Sequence, residues 1–81
     1  MIKIYSTTWC PSCVMAKKLL DEKNIIYEEI NIEEIGMSRD DLNQLTGGST
    51  VPQIVIKGKS IGGFENLVNL NTNGKLDKLI S

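Results

Sequence analysis

Histidine is absent from this 81-residue chain, cysteine and proline occur twice each, and tryptophan and phenylalanine once each. A structural zinc site generally draws four ligands from Cys, His or carboxylate, so a chain with two thiols and no imidazole is short of soft ligands for one. No apolar run approaches the ~18 to 20 residues of a membrane-spanning helix, so no membrane association is expected. No basic patch interleaved with aromatics is present, and a nucleic-acid partner is not expected either. The opening Met1-Ile2-Lys3-Ile4 lacks the basic, apolar and small-residue segments of a secretory signal, and a cytoplasmic protein is the expectation. The length leaves room for one core, read as a single domain over residues 1–81 that buries somewhat over ~60% of the surface its unfolded chain exposes.

The net charge is only -1, yet eight of the ten acidic residues fall between Asp21 and Asp41. The rest of the chain carries more lysine than acid. Such an asymmetry either orients a partner protein or is simply a solvated acidic face.

What the chain does possess is Cys10-Pro11-Ser12-Cys13, set between a β-rich run from Ile2 to Ser6 and a helical stretch opening at Pro11. Cytosolic thiols are kept reduced, and a loop this short restricts the unfolded chain little, so the pair reads as redox-active rather than as a staple. A C-x-x-C at a strand-to-helix junction in βα patterning reads as a thioredoxin-like dithiol, because the first sulfur meets the helix N-terminus. Cys10 is therefore the expected nucleophile. Lowering its thiol below the free value of ~8.5 takes about 1.4 kcal/mol per unit, of which a helix terminus supplies roughly 0.3 to 2 kcal/mol. The backbone N–H of Ser12 or Cys13 must supply the remainder, since no Lys, Arg or His lies between Ile4 and Ala16. Cys13, one turn inside the helix, is expected as the resolving thiol. Pro11 suits the first helical position, whose N–H has no internal partner to lose.

Hydrophobic spacing predicts strands over Ile2–Ser6, Ile25–Ile32 and Gln53–Lys57, with a short fourth near Ser60-Ile61. Helices are predicted over Pro11–Lys23, with Ala16, Leu19 and Leu20 inward, and after Ser38, where Asp41 completes a capping box and Leu42 and Leu45 share a face. Two further helical segments are expected, around Phe64, Leu67 and Val68 and around Leu76, Leu79 and Ile80, separated at Asn73-Gly74. The first two strands, joined by a helix, should be parallel, and the last two, joined by the tight Lys57-Gly58-Lys59 turn, antiparallel. The order is βαβαββα with a broken C-terminal helix.

Tyr5-Ser6-Thr7-Thr8-Trp9-Cys10-Pro11-Ser12-Cys13, Thr50-Val51-Pro52-Gln53 and Gly62-Gly63-Phe64-Glu65 together resemble a small dithiol glutaredoxin over essentially the whole chain. The resemblance implies an α/β thioredoxin-like fold with a four-stranded mixed sheet flanked by helices, and a cis peptide before Pro52. It also implies a thiol-disulfide oxidoreductase, acting as a monomer on disulfide-containing proteins or glutathione mixed disulfides, with glutathione as cosubstrate and no bound cofactor or metal. Cys10, Pro11, Ser12 and Cys13 are then the catalytic segment, and Thr7, Trp9, Thr50, Val51, Pro52, Gly63, Phe64 and Glu65 the glutathione and substrate contacts. The N–H groups of Phe64 and Glu65 would take the γ-glutamyl carboxylate, and the Glu65 side chain the amine. Simpler readings stand beside these: Pro52 as a strand-opening proline, Gly62-Gly63 as a turn, and Trp9 as ordinary packing rather than a rim over the sulfur.

The chain departs from the family pattern where many members carry basic residues for the glycine carboxylate of glutathione. Here stand Thr7, Gly48 and Ser49. Charge-assisted hydrogen bonds are roughly twice as strong as neutral ones, so their loss weakens the glutathione assignment more than the redox assignment. Lys17 or a lysine of the Lys57-Lys59 hairpin is the candidate replacement. Two alternatives follow: a redoxin recharged by thioredoxin reductase, and an iron-sulfur carrier in which two chains share a cluster through Cys10.

Overall fold

A computed structural model describes residues 2–80; Met1 and Ser81, the ends of the expected domain, lie outside the described residues. The elements run β1 (Ile2–Ser6), α1 (Pro11–Glu22), β2 (Tyr27–Asn31), α2 (Arg39–Thr46), β3 (Gln53–Ile56), β4 (Lys59–Gly62), α3 (Phe64–Thr72) and α4 (Lys75–Ile80). The sheet order is β2-β1-β3-β4, with β1 parallel to β2 and antiparallel to β3, and β3 antiparallel to β4. Among the described residues no helix is long and apolar enough to cross a membrane.

β1 takes an interior place because both of its faces are apolar enough to be covered. Ile2 and Ile4 pack with Ala16 and Leu20 of α1, Ile54 and Ile56 of β3, Leu67 of α3 and Leu76 of α4. Tyr5 faces the other way, against Ile32 and Leu42 of α2. Three helices thus cover one face of the sheet and one covers the other. Each fully buried leucine contributes roughly 1.5–3 kcal/mol of hydrophobic stabilisation.

The predicted boundaries shift where a residue has a stronger use elsewhere. α1 ends in a left-handed Asn24 (φ 58), with Asn24 N–H donating to the Asp21 carbonyl (3.0 Å) and Ile25 N–H to the Leu20 carbonyl (2.9 Å). These are the two bonds of a Schellman cap, and Ile25 packs against the cluster that holds Leu20. Ile25 is thereby consumed by the helix end, Ile26 is 87% exposed, and β2 begins only at Tyr27. β3 likewise stops at Ile56, because Lys57 (φ 52) and Gly58 (φ 82) form the two-residue turn. The capping box is present, Ser38 Oγ accepting from Asp41 N–H (3.0 Å) and Asp41 Oδ2 from Ser38 N–H (3.1 Å). An eight-residue helix spans barely two turns, however, and buries Leu42 while Leu45 stays 55% exposed.

One polar contact ties β2 to both β1 and α1. Glu29 accepts hydrogen bonds from the Lys17 ammonium (2.8 Å) and the Ser6 hydroxyl (2.9 Å). Lys17 holds the Glu29 carboxyl below its ordinary value of 4.5, against an opposing effect of burial and with help from Ser6. A carboxyl lowered in the folded state contributes its full stabilisation above the unfolded value, and that contribution fades as pH falls through the lowered one. The pair is partly exposed, which keeps its worth under about 1 kcal/mol. Glu29→Gln is therefore expected to lower stability slightly in urea titrations at pH 7, with the difference from wild type shrinking below pH ~4. A difference that grows on acidification would contradict this assignment.

Candidate active site

The loop leaving the C-terminal end of β1 turns directly into α1, and Cys10 is the residue at the turn. Its extended backbone (φ -149, ψ 99) makes it the N-cap of α1, with Pro11 as the first helical residue. An N-cap side chain normally presents an oxygen to the orphan N–H groups of the first turn. Here the acceptor is sulfur: Cys13 N–H donates to Cys10 Sγ at 3.1 Å. The two cysteines are joined as a disulfide with a Cα–Cα separation of 5.2 Å. Cys10 is partly exposed, Pro11 and Ser12 are exposed, and Cys13 is 1% exposed beneath them. An incoming thiol therefore meets the Cys10 sulfur first.

The segment before Cys10 is held by the end of the neighbouring strand β2 and the turn that follows it. Thr8 N–H donates to Glu33 Oε1 (2.9 Å), Asn31 Nδ2 to the Thr8 hydroxyl (3.1 Å), and Glu33 N–H to Asn31 Oδ1 (2.9 Å). Glu33, in the turn after β2, thus accepts from the active loop, and Asn31, at the end of β2, donates to it. Thr7 is partly buried next to this anchor, whereas Trp9 stands 92% exposed beside Cys10.

The segment 50–52 approaches from the other side. Val51-Pro52 is a cis peptide, and the Val51 carbonyl oxygen lies 3.7 Å from Cys10 Sγ. Gln53, buried at the start of β3, donates from Nε2 to the Thr50 carbonyl (2.9 Å) and hydroxyl (3.3 Å) and so braces this turn. A groove of about 450 Å³ runs alongside, lined by Ser12, Thr50, Val51, Pro52, Gly63, Phe64, Glu65 and Asn66. This volume falls within the ~300–1,000 Å³ of small-molecule sites. Its far wall is the start of α3, whose N-cap Gly63 makes no side-chain capping bond. The first helical N–H groups of α3 are thus left without an intrahelical acceptor, at the positive end of the helix dipole. Gly63 permits the approach of the two walls, since a Cβ there would sit 3.3 Å from the Pro52 carbonyl oxygen.

The family model described as Glutaredoxin matches residues 2–61. The chain belongs to the glutaredoxin family. It is a thiol-disulfide oxidoreductase. The chain is 44% identical over 81 residues to Glutaredoxin 1 of Rickettsia prowazekii (strain Madrid E), covering 98% of this chain and 85% of that one. It is 41% identical over 80 residues to Glutaredoxin of Pseudomonas aeruginosa, covering 99% and 95%. Among solved structures, the buckwheat glutaredoxin-glutathione complex superposes with a TM-score of 0.89 at 31% identity, over 98% of this chain and 74% of that chain. The mixed sheet flanked by helices is therefore the thioredoxin-like fold expected from the sequence.

In this glutaredoxin the groove brings together Ser12, Thr50, Val51, Pro52, Gly63, Phe64 and Glu65, while Thr7 and Trp9 lie outside its lining. Neither proposed substitute cation lines it. Lys17 is paired with Glu29, and Lys59 lines a different hollow. The cation beside the segment leading to Thr50 is instead Arg39, the first residue of α2, which donates from Nη1 to the Ser49 carbonyl (3.0 Å). Arg39 carries no local signal in the sequence, because it sits ten positions before Ser49 and only the return of the chain after α2 makes them neighbours. Gly48 has a steric cause: a Cβ there would approach within 2.6 Å of Gln53 Nε2, displacing the amide that braces Thr50.

Asn66 also lines the groove. Its Nδ2 donates to the Ile61 carbonyl (3.0 Å), closing the lower end of the groove. Gly62, at φ 99, lets that side chain pass; a Cβ on residue 62 would run into Asn66 Nδ2. Gly62→Ala is expected to lower stability by about 1–3 kcal/mol, measured by urea titration. Adding Asn66→Ala should recover part of that loss by removing the collision, and an unaltered midpoint for Gly62→Ala would contradict the steric argument.

Proposed function

We propose that residues 1–81 act as one glutaredoxin domain that reduces protein or glutathione mixed disulfides and is recharged by glutathione. Cys10 is the nucleophile. In the reduced protein its thiolate is held by the Cys13 N–H and by the α1 N-terminus, with no basic side chain in the segment between Ile4 and Ala16. The thiolate attacks one sulfur of a substrate disulfide, and the other sulfur leaves as a thiolate that takes up a proton. Cys13 then gives up its proton and attacks Cys10 Sγ, releasing the second substrate thiol and forming the Cys10–Cys13 disulfide. Two electrons pass to the substrate in this exchange.

Recharging runs the same chemistry in reverse. A glutathione thiolate attacks the accessible Cys10 sulfur and frees Cys13. A second glutathione attacks the glutathione sulfur of that mixed disulfide, producing oxidised glutathione and restoring the Cys10 thiolate. The observation that carries this reading is the groove beside Cys10, with a backbone turn on one wall and an uncapped helix start on the other. The Val51 backbone would pair with the extended tripeptide. The N–H groups of Phe64 and Glu65 would receive its γ-glutamyl carboxylate and the Glu65 side chain its amine. Thr50, Pro52 and Gly63 shape the walls, Thr7 supports the loop before Cys10, and Trp9 forms an exposed rim. Arg39 would supply the charge for the glycine carboxylate that Thr7, Gly48 and Ser49 do not. The glutathione complex of buckwheat glutaredoxin, a structural neighbour over nearly the whole chain, supports the same ligand here.

The test is reduction of the oxidised protein by millimolar glutathione, compared with thioredoxin reductase and NADPH. Fast reduction by glutathione is expected. In the same assay Arg39→Ala should raise the glutathione concentration needed for half-maximal rate by about 5- to 10-fold, the worth of one partly exposed charge-assisted bond, and Arg39→Lys should restore part of it. Reduction by the reductase alone would overturn the glutathione reading and leave a thioredoxin-like redoxin on this frame.

A further inference from the structure

A second hollow, about 640 Å³ in volume, lies between β4 and the two C-terminal helices. Its floor is apolar, formed by Ile61, Leu70 and Leu79, and its lining includes three lysines, Lys59, Lys75 and Lys78. Among the described residues, no acidic side chain lines it. The nearest acid on α4, Asp77, is directed elsewhere by its ion pair with Lys23 (3.2 Å). Glu65 of α3 lines the groove beside Cys10 instead. The hollow is therefore a basic rim around an apolar floor, on a protein whose acids are concentrated between residues 21 and 41.

Two features join this hollow to the reacting sulfur. Asn66 lines both depressions, so they meet at its side chain, which bonds to the Ile61 carbonyl. β4 is also the edge strand of the sheet, and Ile61 is the extra residue of a bulge, paired to neither Ile54 nor Val55. A bulge re-aims a side chain at a sheet edge, and an edge strand is a surface on which an extended peptide can lie.

We propose that this hollow is a docking surface for substrate proteins, and that its occupant is a segment of alternating acidic and apolar residues flanking the cysteine that Cys10 attacks. The proposal rests on dithiol exchange at Cys10 and adds to it a substrate class. Apolar side chains of the segment cover Ile61, Leu70 and Leu79 while its carboxylates meet Lys59 and Lys75. A small disulfide reaches Cys10 without touching the hollow, so docking alters selectivity among proteins and leaves small-molecule turnover unchanged.

The experiment uses pre-reduced protein and three synthetic peptides, each with one cysteine in a mixed disulfide with 2-mercaptoethanol. The flanking residues alternate leucine with glutamate, with lysine or with serine. Single-turnover reduction consumes the Cys10 and Cys13 thiols and yields the peptide thiol, 2-mercaptoethanol and the Cys10–Cys13 disulfide, so no further reductant is needed. The glutamate peptide is expected to react about fivefold faster than the lysine peptide at low ionic strength, with the serine peptide between, and the difference should collapse at about 0.5 M salt. The double variant K59E/K75E should reverse that order while reducing bis(2-hydroxyethyl) disulfide at the wild-type rate. Equal rates for the three peptides, with normal reduction of the small disulfide, would overturn the docking proposal alone. Failure to reduce even the small disulfide would overturn the exchange chemistry beneath it. Sedimentation showing a dimer that K59E/K75E dissociates would assign the hollow to a second copy of the chain and also overturn the proposal.

Discussion

The hydrogen bond from Cys13 N–H to Cys10 Sγ is the contact on which the rest of the site depends. It makes a sulfur the N-cap of α1, so the Cys10 sulfur is placed by helix geometry rather than by a flexible loop. A helix start leaves its first N–H groups without internal acceptors, and a thiolate in that position satisfies one of them while facing the positive end of the dipole. The pair is useful only because α1 is itself held rigidly. Ala16 and Leu20 anchor it to Ile2 and Ile4 of β1, an interior strand of the sheet. Burial of one helical face in the core and presentation of one sulfur at its tip are two consequences of the same register.

Around that tip the fold assembles backbone rather than charged side chains. The 50–52 turn is braced by Gln53, which needs the space left by Gly48. The start of α3 comes close because Gly63 has no Cβ, and Asn66 crosses to Ile61 because Gly62 has none either. The groove walls thus combine the backbone of the 50–52 turn and of Gly63 with the side chains of Phe64, Glu65 and Asn66. Charge enters from residues remote in sequence: Glu33 holds the loop before Cys10, and Arg39 holds the segment before Thr50.

Much of this was legible in the chain. The Cys10–Cys13 spacing, the β-rich run from Ile2 to Ser6, the Ser38–Asp41 capping box and the tight turn at Lys57-Gly58 are local signals whose physics acts within a few residues, and each appears in the structure as read. The errors arise where two local uses compete. Ile25 looks like a strand residue but is taken by the cap of α1, and Leu45 shares a helical face with Leu42 yet stays half exposed at the edge of a hollow it lines with Tyr5 and Val55. Neither competition is visible in hydropathy, since both outcomes satisfy the same pattern.

The sequence by itself determined the chemistry: two thiols three residues apart where a strand meets a helix, and no histidine or nearby base to take another route. It also determined the order of elements, because hydrophobic period and turn residues are encoded locally. Only the tertiary structure decided which cation stands near the groove, why residue 48 is glycine and that Asn66 forms part of two depressions at once. Those facts depend on distances between segments brought together by packing, and packing is a property of the whole core rather than of any stretch of chain.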